Sequence, residues 1–240
     1  RLRSDDIVVV TDPFPLSIGL RPDARPATIV TVSNSHPNHS GTDEVLGVPR
    51  VFNAPGEYEF RSVAVRGVMT PQLPDTPLEQ RSVAFTVEMD GVNICHLGDI
   101  TAPPTTRQID ELSPVDVLLV PTGGGCTMDV DQVLQTMQDL APKVVIPMHH
   151  SNPEVNVPLQ AVDVFLNRMG LSEVQAQPRL SATTSNLGTD MRVVLLAPQA
   201  RPASRLFQTG FAMVDHPPRS SGRRVGNNLY HSWLACRTTF

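Results

Sequence analysis

Two histidines stand three residues apart in a loop that follows a β-branched segment. His36 and His39 come directly after the predicted strand 28–33, and Asn34 and Asn38 lie in the same loop. Imidazoles at the end of a strand can converge on one ion, because the strand fixes where the loop begins. The spacing therefore indicates a transition-metal site at a strand end.

Two further predicted strands end in residues of the same chemical type. Asp99 follows the predicted strand 92–97, and His149 follows the predicted strand 143–148. Each residue alone is weak support, since a single His or Asp at a strand end more often stabilises a turn. The order and separation of the three segments, rather than any one residue, favour a shared site.

Other polar residues near these segments receive structural interpretations. His96 is predicted to be structural, and His150 should point away from its neighbour His149, because side chains alternate along a strand. The Gly123–Gly125 segment predicts a tight strand-to-helix turn near the rim of the site. It lacks the Gly-Lys-Ser/Thr ending of a phosphate-binding loop. Cys126 is interpreted as a small buried residue rather than a reactive thiol.

The rest of the chain predicts the elements that must position these residues. Strands are predicted at 7–11, 28–33, 62–69, 82–89, 92–97, 115–120, 143–148 and 192–196. Helices are predicted at 129–140, with Thr127 as its N-cap, and at 158–169. Early hairpins followed by strand–helix alternation favour two sheets with helices outside.

Composition is typical of a soluble globular protein. The 240 residues are 40% hydrophobic and 18% charged, and the net charge is −5. Without a basic stripe, a nucleic-acid partner is not expected. No apolar run approaches the roughly 20 residues of a membrane span. Three cysteines, an odd number at irregular spacing, favour a reducing compartment, here the cytoplasm.

The two ends of the chain differ from its middle. Residues 1–199 are predicted to form one domain, whereas 200–240 is rich in Arg, Pro and Ser and is predicted to be a disordered or non-homologous tail. The chain opens at Arg1 and runs into a strand almost at once. We interpret it as lacking its first N-terminal strand.

Four short motifs occur in a characteristic order. They are Asp12-Pro13, Pro55-Gly56-Glu57-Tyr58-Glu59, His96-Leu97-Gly98-Asp99 and Ile146-Pro147-Met148-His149. Together, over roughly residues 5–197, they resemble a branch of the metallo-β-lactamase superfamily that includes enzymes similar to ascorbate-6-phosphate lactonase. The resemblance implies an α/β (α+β) fold, a four-layer αββα sandwich, with its metal site at one edge of the two sheets.

The ligand set that the resemblance implies is incomplete. His36 would belong to a first metal position, His39 and His149 to a second, and Asp99 would bridge the two. Two imidazoles and one carboxylate are sufficient for one ion, with Zn²⁺ preferred and Mn²⁺ or Fe²⁺ as alternatives. The first position thus retains only His36 and the bridging carboxylate, so one ion is expected rather than two.

The departures from the family pattern fall on three positions. Asn34 stands where the family has its first His, Asn38 stands where it has an Asp, and no His occurs around 70–72. Asn34 offers a carbonyl oxygen as a weak ligand. Asn38, at the position of the carboxylate that orients the attacking water, cannot accept a proton. Glu57 and Asp12 are possible substitutes for that base.

The leading hypothesis is a metal-dependent hydrolase acting on a small-molecule ester, lactone or phosphodiester, with Asp99 and position 38 in catalytic roles. A metal ion serves such reactions because it lowers the pKa of water that it binds to near neutrality. The alternative is a catalytically silent relative that acts as a binding or scaffold module. A di-iron oxidoreductase on the same fold would need more ligands than the sequence retains.

Overall fold

The first of two β-sheets is built from the N-terminal part of the chain. In the computed structural model, the residues described are 1–23, 25–71, 76–77, 81–155 and 157–198. Within them, this sheet has the strands β1 (Leu2–Ser4), β2 (Ile7–Thr11), β3 (Ile29–Thr31) and β4 (Arg50–Phe52), which neighbour one another in that order. β1 is antiparallel to β2, whereas β2, β3 and β4 are parallel. The Asp12 turn and the loop after β3 therefore leave the same edge of the sheet.

The second sheet carries seven strands within the described residues. They are β5 (Gly56–Phe60), β6 (Val63–Met69), β7 (Val83–Met89), β8 (Val92–His96), β9 (Val117–Pro121), β10 (Val144–Met148) and β11 (Arg192–Val193). Their spatial order is β11-β10-β9-β8-β7-β6-β5. β5 to β8 are antiparallel neighbours, and β8 to β11 are parallel. The carboxyl ends of β8, β9 and β10 consequently meet at one edge, which brings the loops after them together.

Among the described residues, three α-helices lie on the outer face of the second sheet. They are α1 (Thr106–Leu112), α2 (Val130–Leu140) and α3 (Val162–Arg168). Apolar residues of all three pack on buried residues of the strands, such as Leu118 and Val145. This burial removes the helices' apolar stripes from water, which is the main stabilising contribution for such short helices.

A second apolar core lies between the two sheets. Val9 and Ile29 of the first sheet pack against Val65, Phe85 and Val87 of the second. On the outer face of the first sheet, Val30 belongs to a small apolar cluster with Ala27 and Val45, which lie in loops. Two 3-10 helices, Leu16–Ile18 and Thr42–Glu44, lie in the connections between its strands. The prediction of two sheets with helices outside is confirmed, and the α-helices of the described residues all lie on the second sheet.

The structure corrects several predicted boundaries. α2 is capped by Asp129, whose side chain accepts the Gln132 N–H, and not by Thr127. α3 begins at Val162 instead of residue 158, because the backbone of Gln160 bonds to the glycine turn after β9. β11 covers only two residues of the predicted strand 192–196.

Four elements were not predicted from sequence: β1, β4, β5 and α1. The start of α1 was marked in sequence by a Thr-x-x-Gln pattern, because Thr105 and Gln108 form a reciprocal capping box. The predicted tail, 200–240, lies outside the described residues, and the boundary at 199 stays a prediction. No helix in the described part of the chain is both long and apolar enough to cross a membrane.

Candidate metal centre

Three side chains from distant parts of the chain converge where the two sheets meet at one edge. One ligand atom each from His39, Asp99 and His149 lies within 4.8 Å of the others. His39 Nε2 is 2.9 Å from Asp99 Oδ2, and His149 Nε2 is 3.5 Å from Asp99 Oδ1. The two imidazole rings stack with their centroids 5.7 Å apart. These three residues are the only such group found among the residues that the structure describes.

Asp99 reaches this point because the chain turns tightly after β8. Gly98 has φ +59°, a conformation that side chains rarely adopt. A Cβ added to Gly98 would lie 2.4 Å from the Cβ of Ser33. Glycine at this position therefore allows the end of β8 to approach the loop after β3, which carries His39.

His149 is held by a backbone contact from the neighbouring loop. It follows β10 with φ +50°, a left-handed conformation that is costly for a residue with a side chain. A Cβ added to Gly123 would lie 2.1 Å from the carbonyl oxygen of His149. Gly123 itself accepts a hydrogen bond from the Gln160 N–H at 2.8 Å. The glycine turn after β9 therefore fixes the backbone that carries His149.

The buried carboxylate of Asp12 contacts the ring nitrogen of His39 that faces away from the other two ligands. Asp12 Oδ2 lies 3.0 Å from His39 Nδ1, and its side chain is only 9% exposed. Ser33 also donates to Asp12, through its N–H at 2.7 Å and its hydroxyl at 2.5 Å. A carboxylate that accepts from Nδ1 fixes the tautomer and aims Nε2 at the site.

Asp12 therefore orients a candidate ligand and does not face the open side of the site as a substitute base. The signal for this role in the sequence was the position of Asp12 directly after a predicted strand. In the structure that strand is β2, the parallel neighbour of β3, so Asp12 and the loop that carries His39 leave the same edge of the sheet. The contribution of Ser33 was not predicted, because its backbone N–H and hydroxyl carry no sequence pattern of their own.

In the metal-free site, His39 is protonated on both ring nitrogens at neutral pH. Burial opposes the charged imidazole, but hydrogen bonds to Asp12 and Asp99 outweigh burial and raise the pKa of His39 to about 10. For Asp99, burial again opposes the charge, and the contact with His39 outweighs it and lowers the pKa to about 2. Burial lowers the pKa of His149, which favours the neutral imidazole that a metal ion requires.

We expect metal-free protein to lose stability as the pH rises from neutrality to about 10. Because the pKa of His39 is raised, folding favours its protonated form. This contribution is complete below the ordinary value of 6.5 and is lost as the pH rises through about 10. Thermal unfolding of chelator-treated protein should show a Tm lower by more than about 4 °C at the alkaline end. His39→Gln should lack this component, and an equal fall in both proteins would contradict the prediction.

The remaining residues of the histidine loop do not join the three ligands. His36 is exposed, its Nδ1 accepts the Asn38 N–H at 3.2 Å, and its ring centroid is 6.2 Å from that of His39. Asn34 is buried, and its Oδ1 accepts the His36 N–H at 2.9 Å while its Nδ2 donates to Asp99 Oδ2 at 3.1 Å. Its carbonyl oxygen is thus committed to the backbone and not directed at an ion. Asn38 is half-buried beside them.

Other residues considered from sequence lie apart from the three ligands. Glu57 is exposed on the edge strand β5, with Arg66 at 3.6 Å. β5 is three strands from β8, or about 14 Å at the usual spacing. His150 contacts the carbonyl of Ser151 at 3.2 Å. Cys126 is exposed, so the prediction that it is buried is wrong; it follows Gly124 and Gly125, whose positive φ values turn the chain.

The site's unsatisfied atoms fit a bound cation. Asp99 Oδ1 is buried, and no described residue forms a hydrogen bond with it. A buried, ionised oxygen without a partner is costly, and coordination by a cation would satisfy it. Two imidazole nitrogens and one carboxylate are a donor set that suits Zn²⁺, Mn²⁺ or Fe²⁺.

His96 lies in the buried region next to Asp12. It is 5% exposed, and its Nδ1 is buried without a hydrogen-bond partner among the described residues. Burial lowers the pKa of His96, and Asp12 opposes that effect. These features agree with the structural role that the sequence predicted for it.

Comparisons with known proteins identify the family of this chain. A family model described as a β-lactamase superfamily domain matches residues 1–149. A protein of Carboxydothermus hydrogenoformans, named a metal-dependent hydrolase, is 29% identical over 161 residues, which are 55% of this chain and 70% of that protein. Its name supports metal-dependent hydrolysis as the activity of relatives of this chain.

Two solved structures have the same fold. A Thermotoga maritima protein, named as a Zn-dependent hydrolase of the metallo-β-lactamase superfamily, is 30% identical, with a TM-score of 0.65 over 78% of this chain and 88% of its own. A metallo hydrolase of Ignicoccus hospitalis, 18% identical, has a TM-score of 0.54 over 83% of this chain and 91% of its own. The αββα fold and the family resemblance predicted from sequence are confirmed. The chain belongs to the metallo-β-lactamase superfamily.

Proposed function

We propose that this protein is a hydrolase that uses a single transition-metal ion to cleave a small ester, lactone or phosphodiester. The observation that carries the proposal is the convergence of His39, Asp99 and His149, whose ligand atoms lie within 4.8 Å of one another. The names of the relatives support the reaction class, and the donor set favours Zn²⁺, with Mn²⁺ or Fe²⁺ as alternatives.

Contacts within the protein orient the side chains of the three ligands without a bound ion. Asp12 accepts a hydrogen bond from the Nδ1–H of His39, so Nε2 is the nitrogen that faces the site. Binding an ion requires His39 to release the second proton, which it now shares with Asp99. Asp99 then offers Oδ1, which has no hydrogen-bond partner among the described residues.

The proposed substrates share a developing negative charge on oxygen in the transition state. The chemistry that a bound ion supplies to them is Lewis acidity, which activates water and polarises the oxygen under attack. Asn38 can orient a water molecule or a substrate oxygen, but its amide cannot accept a proton. His36 accepts the Asn38 N–H at Nδ1, so it meets a substrate through Nε2.

Metal content and hydrolysis should depend on each other. We expect the purified protein to hold about one ion per chain, the number that one set of two imidazoles and a carboxylate can bind. A chelator should abolish hydrolysis of p-nitrophenyl acetate, a γ-lactone or bis(p-nitrophenyl) phosphate, and added Zn²⁺ or Mn²⁺ should restore it. Protein without bound metal and without hydrolysis of any of these substrates would contradict the proposal.

A second candidate function is a silent binding or scaffold module. Asn34 and Asn38 favour it, because both amides replace groups that take part in catalysis in the family pattern. This function predicts that a chelator changes neither the metal content nor the Tm. Hydrolysis that responds to metal would exclude it.

The proposed partner is a small molecule, and the proposed location is the cytoplasm. The buried thiol of Cys95 forms no disulfide with any described residue, which supports a reducing compartment. The net charge of −5 supports the proposal that nucleic acid is not the substrate. Filter binding to duplex DNA at low salt should show no retention.

A further inference from the structure

Asn34 is connected to the site through both ends of its amide. Its Nδ2 donates to Asp99 Oδ2 at 3.1 Å, and its Oδ1 accepts the His36 N–H at 2.9 Å. The residue is only 7% exposed, so these bonds are not exchanged freely with water. The two bonds fix the amide orientation, because reversing it would place a donor against the His36 N–H.

The two oxygens of Asp99 have different surroundings. Oδ1 faces His149 and has no hydrogen-bond partner among the described residues. Oδ2 faces His39 Nε2 at 2.9 Å and Asn34 Nδ2 at 3.1 Å. When His39 gives up its proton to an ion, the Asn34 amide still occupies the Oδ2 side. A second cation on the Oδ2 side would therefore compete with the Asn34 N–H for the lone pairs of that oxygen.

The loop also leaves few ligands for a second ion on the Oδ2 side. His36 uses Nδ1 to accept the Asn38 N–H at 3.2 Å, so only its Nε2 could coordinate. The Asn34 carbonyl oxygen accepts the His36 N–H, which directs it towards the backbone of its own loop, and as a neutral amide it is a weak ligand. One imidazole nitrogen and one shared oxygen fall short of the three protein ligands that a transition metal ordinarily requires.

We propose that the Asn34 amide takes the place of a second cation: it holds Asp99 through Oδ2, aims Oδ1 at the bound ion and restricts the site to one ion. This inference rests on the proposed function, because it assumes an ion at His39, Asp99 and His149. Asn34 is thus a positioning residue that acts through Asp99. An N–H donor is suited to this task, because it satisfies the carboxylate without attracting further ligands.

The test is a titration of metal-free protein with Co²⁺, followed by visible absorption, in wild type, Asn34→Ala and Asn34→Asp. Wild type should reach its end point at one Co²⁺ per chain. Asn34→Ala should keep that end point but bind about 10- to 100-fold more weakly, the loss typical when a residue that orients a ligand is removed. Asn34→Asp is nearly isosteric, and it places two carboxylates in contact. A cation between the two carboxylates relieves their repulsion. The end point of the Asn34→Asp variant should therefore rise towards two Co²⁺ per chain.

Asn93→Ala is the matched control. Asn93 Nδ2 also donates to a carboxylate, Asp116 Oδ2, at 3.4 Å, in a pair outside the three-ligand group. Its removal should leave both the Co²⁺ affinity and the end point unchanged. Thermal unfolding of each metal-free variant measures how much of any effect is general destabilisation, which cannot move an end point from one to two.

Two results would overturn the inference and leave the proposed function intact: an Asn34→Ala affinity within twofold of wild type, and an Asn34→Asp end point that stays at one. A wild-type end point of two would overturn the inference together with the single ion of the proposed function, but not metal-dependent hydrolysis. Wild type that binds no Co²⁺ would overturn the proposed function and this inference with it.

Discussion

Replacing His149 by alanine should release the metal ion and abolish hydrolysis while the protein remains folded. His149 supplies one of the three converging ligands and lies at the end of β10, outside the two apolar cores. Its side chain, 21% exposed, lies among polar groups of the site and not in an apolar core, so we expect the fold to survive its removal. We expect metal affinity to fall by more than the roughly 100-fold that marks the loss of an outer supporting residue. Metal analysis after dialysis would measure this directly.

His150→Ala is the matched control for this prediction. The two histidines are adjacent in the chain and both are half-buried, but His150 contacts the Ser151 carbonyl and lies outside the group of three. Its removal should change metal content and hydrolysis little. Equal metal contents in the two variants would show that His149 is not a ligand, and would remove the basis of the proposed function.

Replacing Gly123 by alanine should lower the metal affinity, although Gly123 lies in the loop next to His149 and is not a ligand. The added Cβ would lie 2.1 Å from the carbonyl oxygen of His149 and 3.1 Å from the Cβ of Leu159. Backbone must move to relieve such a contact, and overpacking of this kind costs about 1–3 kcal/mol. His149 would move with its carbonyl, so we expect metal affinity to fall by at least about tenfold, because ligands must be held to within about 0.5 Å.

Gly125→Ala separates this contact from a general effect of changing the loop. A Cβ at Gly125 meets nothing closer than the Pro158 carbonyl at 3.8 Å, although its φ of +68° still disfavours a side chain. The substitution should therefore cost about 1–2 kcal/mol through backbone strain alone. Urea unfolding and metal titration of the two variants should show similar destabilisation but different metal affinity. Unchanged affinity in Gly123→Ala would contradict the role given to that contact.

The effect of Gly123 depends on a contact that no motif contains. Gly123 and His149 are separated by 26 positions, and they meet because β9 and β10 are parallel neighbours whose ends leave the same edge of the sheet. A glycine-rich turn after a strand predicts a sharp change of direction. It does not predict which backbone the turn will meet.

Elements that depend on local pattern could be predicted from the amino-acid sequence. The β-branched segments at 7–11 and 143–148 form β2 and β10, and the Asp90-Gly91 pair joins β7 to β8, because burial and turn chemistry depend on residues close in the chain. The order of its motifs also indicated the superfamily. The short edge strands β1 and β4 were missed, because three residues are too few to show a period.

Which polar residues share the site depends on contacts between elements that are distant in the chain. From sequence, His36 and His39 were both candidate ligands, but His39 converges with Asp99 whereas His36 faces outward. Asp12 proved to be the support of His39, and Asn34 a donor to Asp99. Such contacts depend on how two sheets stack and where their strands end. Periodicity reports how each element is buried, but it carries no information about which atoms of a distant element come within 3 Å.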